Sequence, residues 1–288
     1  MVLALAASLV TPAFACTEDG KSGFSPVDGT PVPVGEKSAN ITTEDEFNQI
    51  IDSVVDLYAP IVSSMGGKLK VARLWTDATA NASASRSFGG VWNVNMYGGL
   101  ARNQYITADG FRLVVCHELG HHIGGAPKNQ GILGFGAWAS NEGQSDYFAG
   151  LKCLRRVFLN DDNRSIVREM KDVPQVLTAS CAKAYREDSE QALCVRIGMA
   201  GQSTANFLAS ARSKPLPDFA TPDTTAVSQT NNAHPAAQCR LDTYLAGVVC
   251  EKTLNEDVSQ KDEVPGTCHP TTGQTVGNRP LCWFKPKT

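Results

Sequence analysis

Thr107-Ala108-Asp109-Gly110-Phe111-Arg112-Leu113-Val114-Val115-Cys116-His117-Glu118-Leu119-Gly120-His121-His122 is the stretch from which the rest of the chain can be read. Thr107 can cap a helix, an apolar run follows it, and Gly124-Gly125 with Pro127 can stop it, so a helix is expected from 107 to about 122. Inside it, His117-Glu118-Leu119-Gly120-His121 has the HExxH spacing. Four residues at 3.6 per turn bring both imidazoles to one face about one turn apart, where they can bind a single metal ion. Zinc is the expected metal, and Glu118, beside that face, can take a proton from water that zinc acidifies to a pKa near 7. The chain holds five histidines, and three of them lie within 117 to 122, which weighs against a chance pair. His122 points about 100° away from His121 and is expected to pack or face solvent.

A catalytic zinc site takes three protein ligands and leaves one position for water. Glu142 is the expected third ligand. It begins a new helix after His121, and Asp146, one turn further on, is placed to hold a ligating histidine by its second ring nitrogen. The competing reading of Glu142 and Asp146 is an acidic first turn that complements a helix dipole.

With these residues the chain resembles the gluzincin metallopeptidases, in which HExxH is followed by a helix carrying a Glu ligand and an Asp four residues later. It is more similar to the HtpX and CAAX-prenyl-protease type. Those proteins carry a Gly-Gly-containing strand region ahead of the HExxH helix, as in Asn93-Val94-Asn95-Met96-Tyr97-Gly98-Gly99, and a His-Pro with an Arg six residues after the His, as in His234-Pro235 and Arg240. The similarity covers roughly residues 43 to 250. It implies that His117, His121 and Glu142 bind zinc, that Glu118 is the base, and that His234 and Arg240 steady the oxyanion or the substrate. A fixed donor at a developing oxyanion contributes about 2.7 to 4 kcal/mol. Many relatives are embedded in membranes, whereas no apolar run here after the first residues approaches the roughly 20 needed to span a bilayer.

Outward from the helix, Thr43 and Glu46 form a capping-box pattern, and Phe47, Ile50, Ile51, Val54, Val55 and Tyr58 recur at helical spacing until Gly66-Gly67. Residues 68 to 76 read as a strand, 77 to 87 as a loop of small residues, and 88 to 96 as a second strand closed by Gly98-Gly99. Trp92 to Met96 is the expected edge strand, along which a peptide could lie on Trp92, Asn93, Val94 and Asn95. A glycine-rich loop at 124 to 136 could border the cleft. A third helix is expected over 141 to 159, further helices over 163 to 212, loop over 215 to 232, and a last helix near 240 to 252.

The whole chain has 288 residues, with 26 Lys and Arg against 29 Asp and Glu, a formal charge of −3 that argues against a nucleic-acid partner. Residues 1 to 15 are apolar and end in Ala13-Phe14-Ala15, the pattern of a secretory cleavage site. They are expected to lie outside the fold. Lipidation at Cys16 is the less favoured alternative, since Phe14 fits a lipobox poorly. Nine cysteines without a CxxC pair fit disulfides in an oxidising compartment, periplasmic or extracellular. Cys181 and Cys194 are close enough to pair locally, and Cys116, inside the apolar helix run, is the expected unpaired thiol. His269 reads as a loop residue.

The expected architecture is α+β, mainly helical and zincin-like, with a small sheet against the HExxH helix and a disulfide-rich C-terminal region. Its divisions are a signal peptide at 1 to 15, an extended leader at 16 to 40 that could be a removable pro-segment, a zinc metallopeptidase domain at 41 to 252 and a cysteine-tied tail at 253 to 288. The function expected is an exported zinc endopeptidase acting on a peptide or protein substrate. The alternatives are a non-catalytic, zinc-stabilised peptide-binding module and a protein whose cysteine framework is its main feature.

Overall fold

A computed structural model of the chain describes residues 23 to 36, 40 to 41, 43 to 129 and 138 to 287, together with the backbone of 13 and 14. Residues 1 to 12, Cys16 and the lipidation alternative, the leader up to 22, and the part of the glycine-rich loop from 130 to 137 lie outside the described residues.

The strand Ala13–Phe14 (β1) comes first in the chain. Thr43 then caps helix α1, Glu44–Ser64: its side chain accepts from the Glu46 amide, and Glu46 accepts in return from the Thr43 amide, at 3.1 Å each. The apolar face of α1, Phe47, Ile50, Ile51, Val54, Tyr58 and Val62, is buried, which is the source of most of a helix's stability in a folded protein. Strand β2, Lys68–Leu74, follows.

The expected loop at 77 to 87 is in fact half strand. Ala82–Ser87 forms β3, and the next strand, β4, runs over Val91–Tyr97. Alanine and serine have low β-propensity, but two turn glycines impose the pairing. Gly89 and Gly90 both adopt positive φ, 80° and 74°, in the three-residue turn that sets Ser87 opposite Val91, and Phe88 is 90% exposed at its tip.

The sheet order is β1-β3-β4-β2, with β2 and β4 parallel and the other pairs antiparallel. This corrects the edge-strand expectation for Trp92, Asn93, Val94 and Asn95. β4 is paired on both sides along its length, so its backbone has no free hydrogen-bonding edge for a peptide. Ala13 and Phe14 pair with Arg86 and Ser85 of β3.

After a short helix α2, Gly98–Ala101, the chain enters α3, Ala108–Ile123, capped by Thr107, whose side chain accepts from the Gly110 amide at 3.0 Å. Thirteen of its sixteen residues are buried, as befits a helix through the core rather than on its surface. The expected single helix over 141 to 159 is interrupted. α4 covers Glu142–Phe148, Ala149–Cys153 is a π-helical turn, and α5 covers Leu154–Val157. The remaining helices are α6, Asn163–Glu169, α7, Gln175–Ala184, α8, Asp188–Ser210, and α9, Ala237–Val248. One large apolar cluster joins α1, the sheet, α3 and α8. No helix among the described residues is long and apolar enough to cross a membrane.

Four disulfides tie this framework: Cys116–Cys153, Cys181–Cys194, Cys239–Cys282 and Cys250–Cys268. Cys181 and Cys194 pair as expected. Cys116 does not remain a thiol, because the π-helical turn brings Cys153 opposite it, with 5.6 Å between Cα atoms. Peptide mapping after alkylation without reduction should recover a linked 116/153 peptide; alkylated Cys116 in folded protein would contradict this pairing.

Candidate metal centre

The site forms where α3 and α4 cross at close range. A Cβ on Gly120 would lie 3.1 Å from the Ser145 backbone, so the glycine in HExxH permits an approach that a larger residue would push apart. The Asn141 side chain caps α4 by accepting from the Gln144 amide at 2.9 Å, which places Glu142 in the first turn, facing the two imidazoles. His117 Nε2 lies 3.4 Å from Glu142 Oε2, and His121 Nε2 lies 3.6 Å from Glu142 Oε1. Ligand atoms of all three residues fall within 4.8 Å of one another. A tetrahedral ion with bonds of about 2.0 to 2.1 Å holds its ligands about 3.3 to 3.4 Å apart, so the site is close to the size such an ion needs.

A further observation fits a cation. Both carboxylate oxygens of Glu118 are buried with no hydrogen-bond partner among the described residues, a costly arrangement unless something polar fills the space beside them.

The outer nitrogens of both histidines are held. His117 Nδ1 donates to Asp146 Oδ1 at 2.8 Å. His121 Nδ1 lies 2.8 Å from the Ser140 carbonyl and 3.0 Å from Ser145 Oγ. Both contacts direct the Nε2 lone pairs inward. Asp146 is itself clamped by Arg240, whose Nε and one terminal nitrogen donate to its two oxygens at 2.7 and 2.8 Å, and by the Tyr244 hydroxyl at 2.7 Å.

Burial shifts the titration of every group here. It raises Glu118 to about 8, with the Glu142 charge adding to the effect and His117 opposing it. Burial also takes His121 down to about 4. It opposes protonation of His117 as well, but the Asp146 charge and the hydrogen bonds of Asp146 and Glu142 win and raise that ring to about 9. The same carboxylate field favours a metal cation at Nε2. Glu142 falls well below the usual carboxylate range, because the neighbouring histidines outweigh its burial.

Arg240 and His234 both reach this centre. Arg240 is buried on Asp146, with one terminal nitrogen 3.9 Å from Glu142 Oε2 and another donating to the Phe24 carbonyl at 2.6 Å. His234 Nε2 lies 3.4 Å from Glu142 Oε2 and donates to the Gly23 carbonyl at 2.8 Å. The expected peptide-binding residues of β4 lie behind His122. Trp92 stacks on the His122 ring at 5.3 Å, the Asn93 carbonyl accepts from it at 3.1 Å, and Asn95 donates to Ser83. Val94 is buried in the core.

Tyr244, Ser140, Gly23 and Phe24 belong to the site and carry no motif. Tyr244 alone left a trace in the sequence, since it follows Arg240 by four residues on one helical face. The chain matches no family model, no curated protein and no solved structure.

Arg240→Ala strips a buried carboxylate of its bidentate partner. It should cost about 3 to 5 kcal/mol of stability and weaken metal binding about 10- to 100-fold through the loosened His117, as read by chemical denaturation and metal titration. Unchanged values for both would show that Asp146 orients nothing.

Proposed function

We propose that this protein is an exported zinc-dependent endopeptidase in which His117, His121 and Glu142 hold the metal and Glu118 is the general base. The observation that carries the reading is the buried Glu118 carboxylate, without a hydrogen-bond partner among the described residues, beside three convergent ligands. A module that only bound zinc or a peptide would need the ligands but would have no use for a buried base.

Bound by these three residues, zinc would supply Lewis acidity, polarising a peptide carbonyl and acidifying water to a pKa near 7. Glu118 takes the proton of the water that attacks the carbonyl carbon, then delivers it to the departing amine nitrogen. Its raised proton affinity suits a group that must both accept and return a proton. His234 can present its Nε2 hydrogen to a carbonyl oxygen, as it does to Gly23. The same donor aimed at the developing oxyanion would stabilise it by about 2.7 to 4 kcal/mol. Asp146, Arg240 and Tyr244 touch no reacting atom in this scheme and act by fixing His117. The four disulfides support a working place outside reducing compartments.

Glu118→Gln should retain zinc near one equivalent while cleavage of an unfolded protein substrate falls by about 10²- to 10⁴-fold. A variant that keeps its metal and cleaves like the parent would remove Glu118 from the mechanism.

A further inference from the structure

The chain's own leader lies along the side of β3 that faces away from β4. The Phe24 amide donates to the Ala82 carbonyl at 2.8 Å, the Gly29 amide to Ala80 at 3.1 Å and the Val32 amide to Ala78 at 2.9 Å. The Asn81 side chain brackets Ser25, accepting from its amide and donating to its carbonyl at 3.0 Å each. The leader therefore runs beside β3 and its approach, bending over residues 23 to 27.

Where this segment crosses the metal centre, its contacts are with the groups that a substrate would meet. The Gly23 carbonyl takes the His234 Nε2 hydrogen, the position assigned above to a carbonyl under attack. The Phe24 ring packs edge-on to His117 at 5.0 Å, stacks on Phe207 at 6.4 Å and lies under the Arg240 guanidinium at 4.4 Å. It fills an aromatic-lined pocket beside a metal ligand and is fully buried. A Cβ on Gly23 would sit 1.7 Å from the Ala82 carbonyl oxygen, so this place on the edge accepts glycine alone. His117, Glu118, His121 and Glu142 are at most 1% exposed beneath it.

We infer that residues 23–25 are a pseudo-substrate: the edge of β3 is the peptide-binding edge of the centre, it takes a segment with glycine followed by an aromatic residue, and the leader occupies it in competition with substrate. This rests on the peptidase reading for the identity of the competitor. Phe24 anchors the leader through its ring, and Gly23 brings the backbone close enough to reach His234.

The test uses the full zinc-loaded chain and reads metal release to a chromogenic chelator beside cleavage of an unfolded protein. If the leader is seated nine-tenths of the time, Phe24→Ala should raise both rates about tenfold. Gly23→Ala, which cannot seat, should do the same. A synthetic peptide spanning 20 to 32 should slow both rates again in Phe24→Ala, while the same peptide with serine in place of its phenylalanine should not. Folded variants that release metal at the parental rate and ignore the peptide would overturn the inference.

Amide exchange in the parent protein decides the case even if both variants fail to fold. A leader that lifts off by itself lets the Phe24 amide exchange about a thousandfold faster than the α3 core, whereas a permanent strand exchanges only with global unfolding, which would refute the inference. Faster metal release and peptide binding without any cleavage would leave the leader's role intact and count against the peptidase reading instead.

Discussion

The interior of this protein is organised around one buried ion pair. Asp146 and Arg240 have no access to water, and each would be untenable there alone, since an uncompensated buried charge costs several kcal/mol. Together, with Tyr244 completing the hydrogen bonds, they hold a carboxylate against the back of His117. The pair also joins α4 to α9, elements far apart in sequence, at the position where the imidazole must be steered. Arg240 further accounts for the path of the leader, because it donates to the Phe24 carbonyl and carries the Phe24 ring beneath it.

The two helices that carry the ligands meet through small residues, not large ones. Gly120 against Ser145 sets their separation, and Gly143 stands against the Trp283 ring of the tail, where a Cβ would be 2.2 Å away. Trp283 is itself anchored by its indole hydrogen to Thr243 of α9 at 2.9 Å. The cysteine-tied tail is therefore part of the packing behind α4 rather than an appendage. Its apolar residues form a cluster with Cys239 and Cys282.

Much of the centre could be read from the sequence because it lies on helices. The spacing of His117 and His121, and of Glu142 and Asp146, translates directly into shared faces, and the caps at Thr107 and Asn141 fix where those faces begin. What could not be read depended on non-local pairing. Whether β4 was an edge turned on β3, whose alternating alanine and serine give no strand signal until the Gly89-Gly90 turn folds it back. The partner of Cys116 depended on a π-helical turn, an extra residue per turn that no apolar periodicity announces. The leader's glycines, serines and prolines gave no hint that Phe24 would be among the most buried side chains.

Two of the four covalent cross-links are attached to the residues immediately preceding groups of the centre: Cys116 comes before His117, and Cys239 comes before Arg240. Oxidation and ion capture are thereby tied in sequence. Where thiols are kept reduced, both the imidazole and the guanidinium behind it would lack these braces, so the geometry of the centre is sensitive to the redox state of its surroundings.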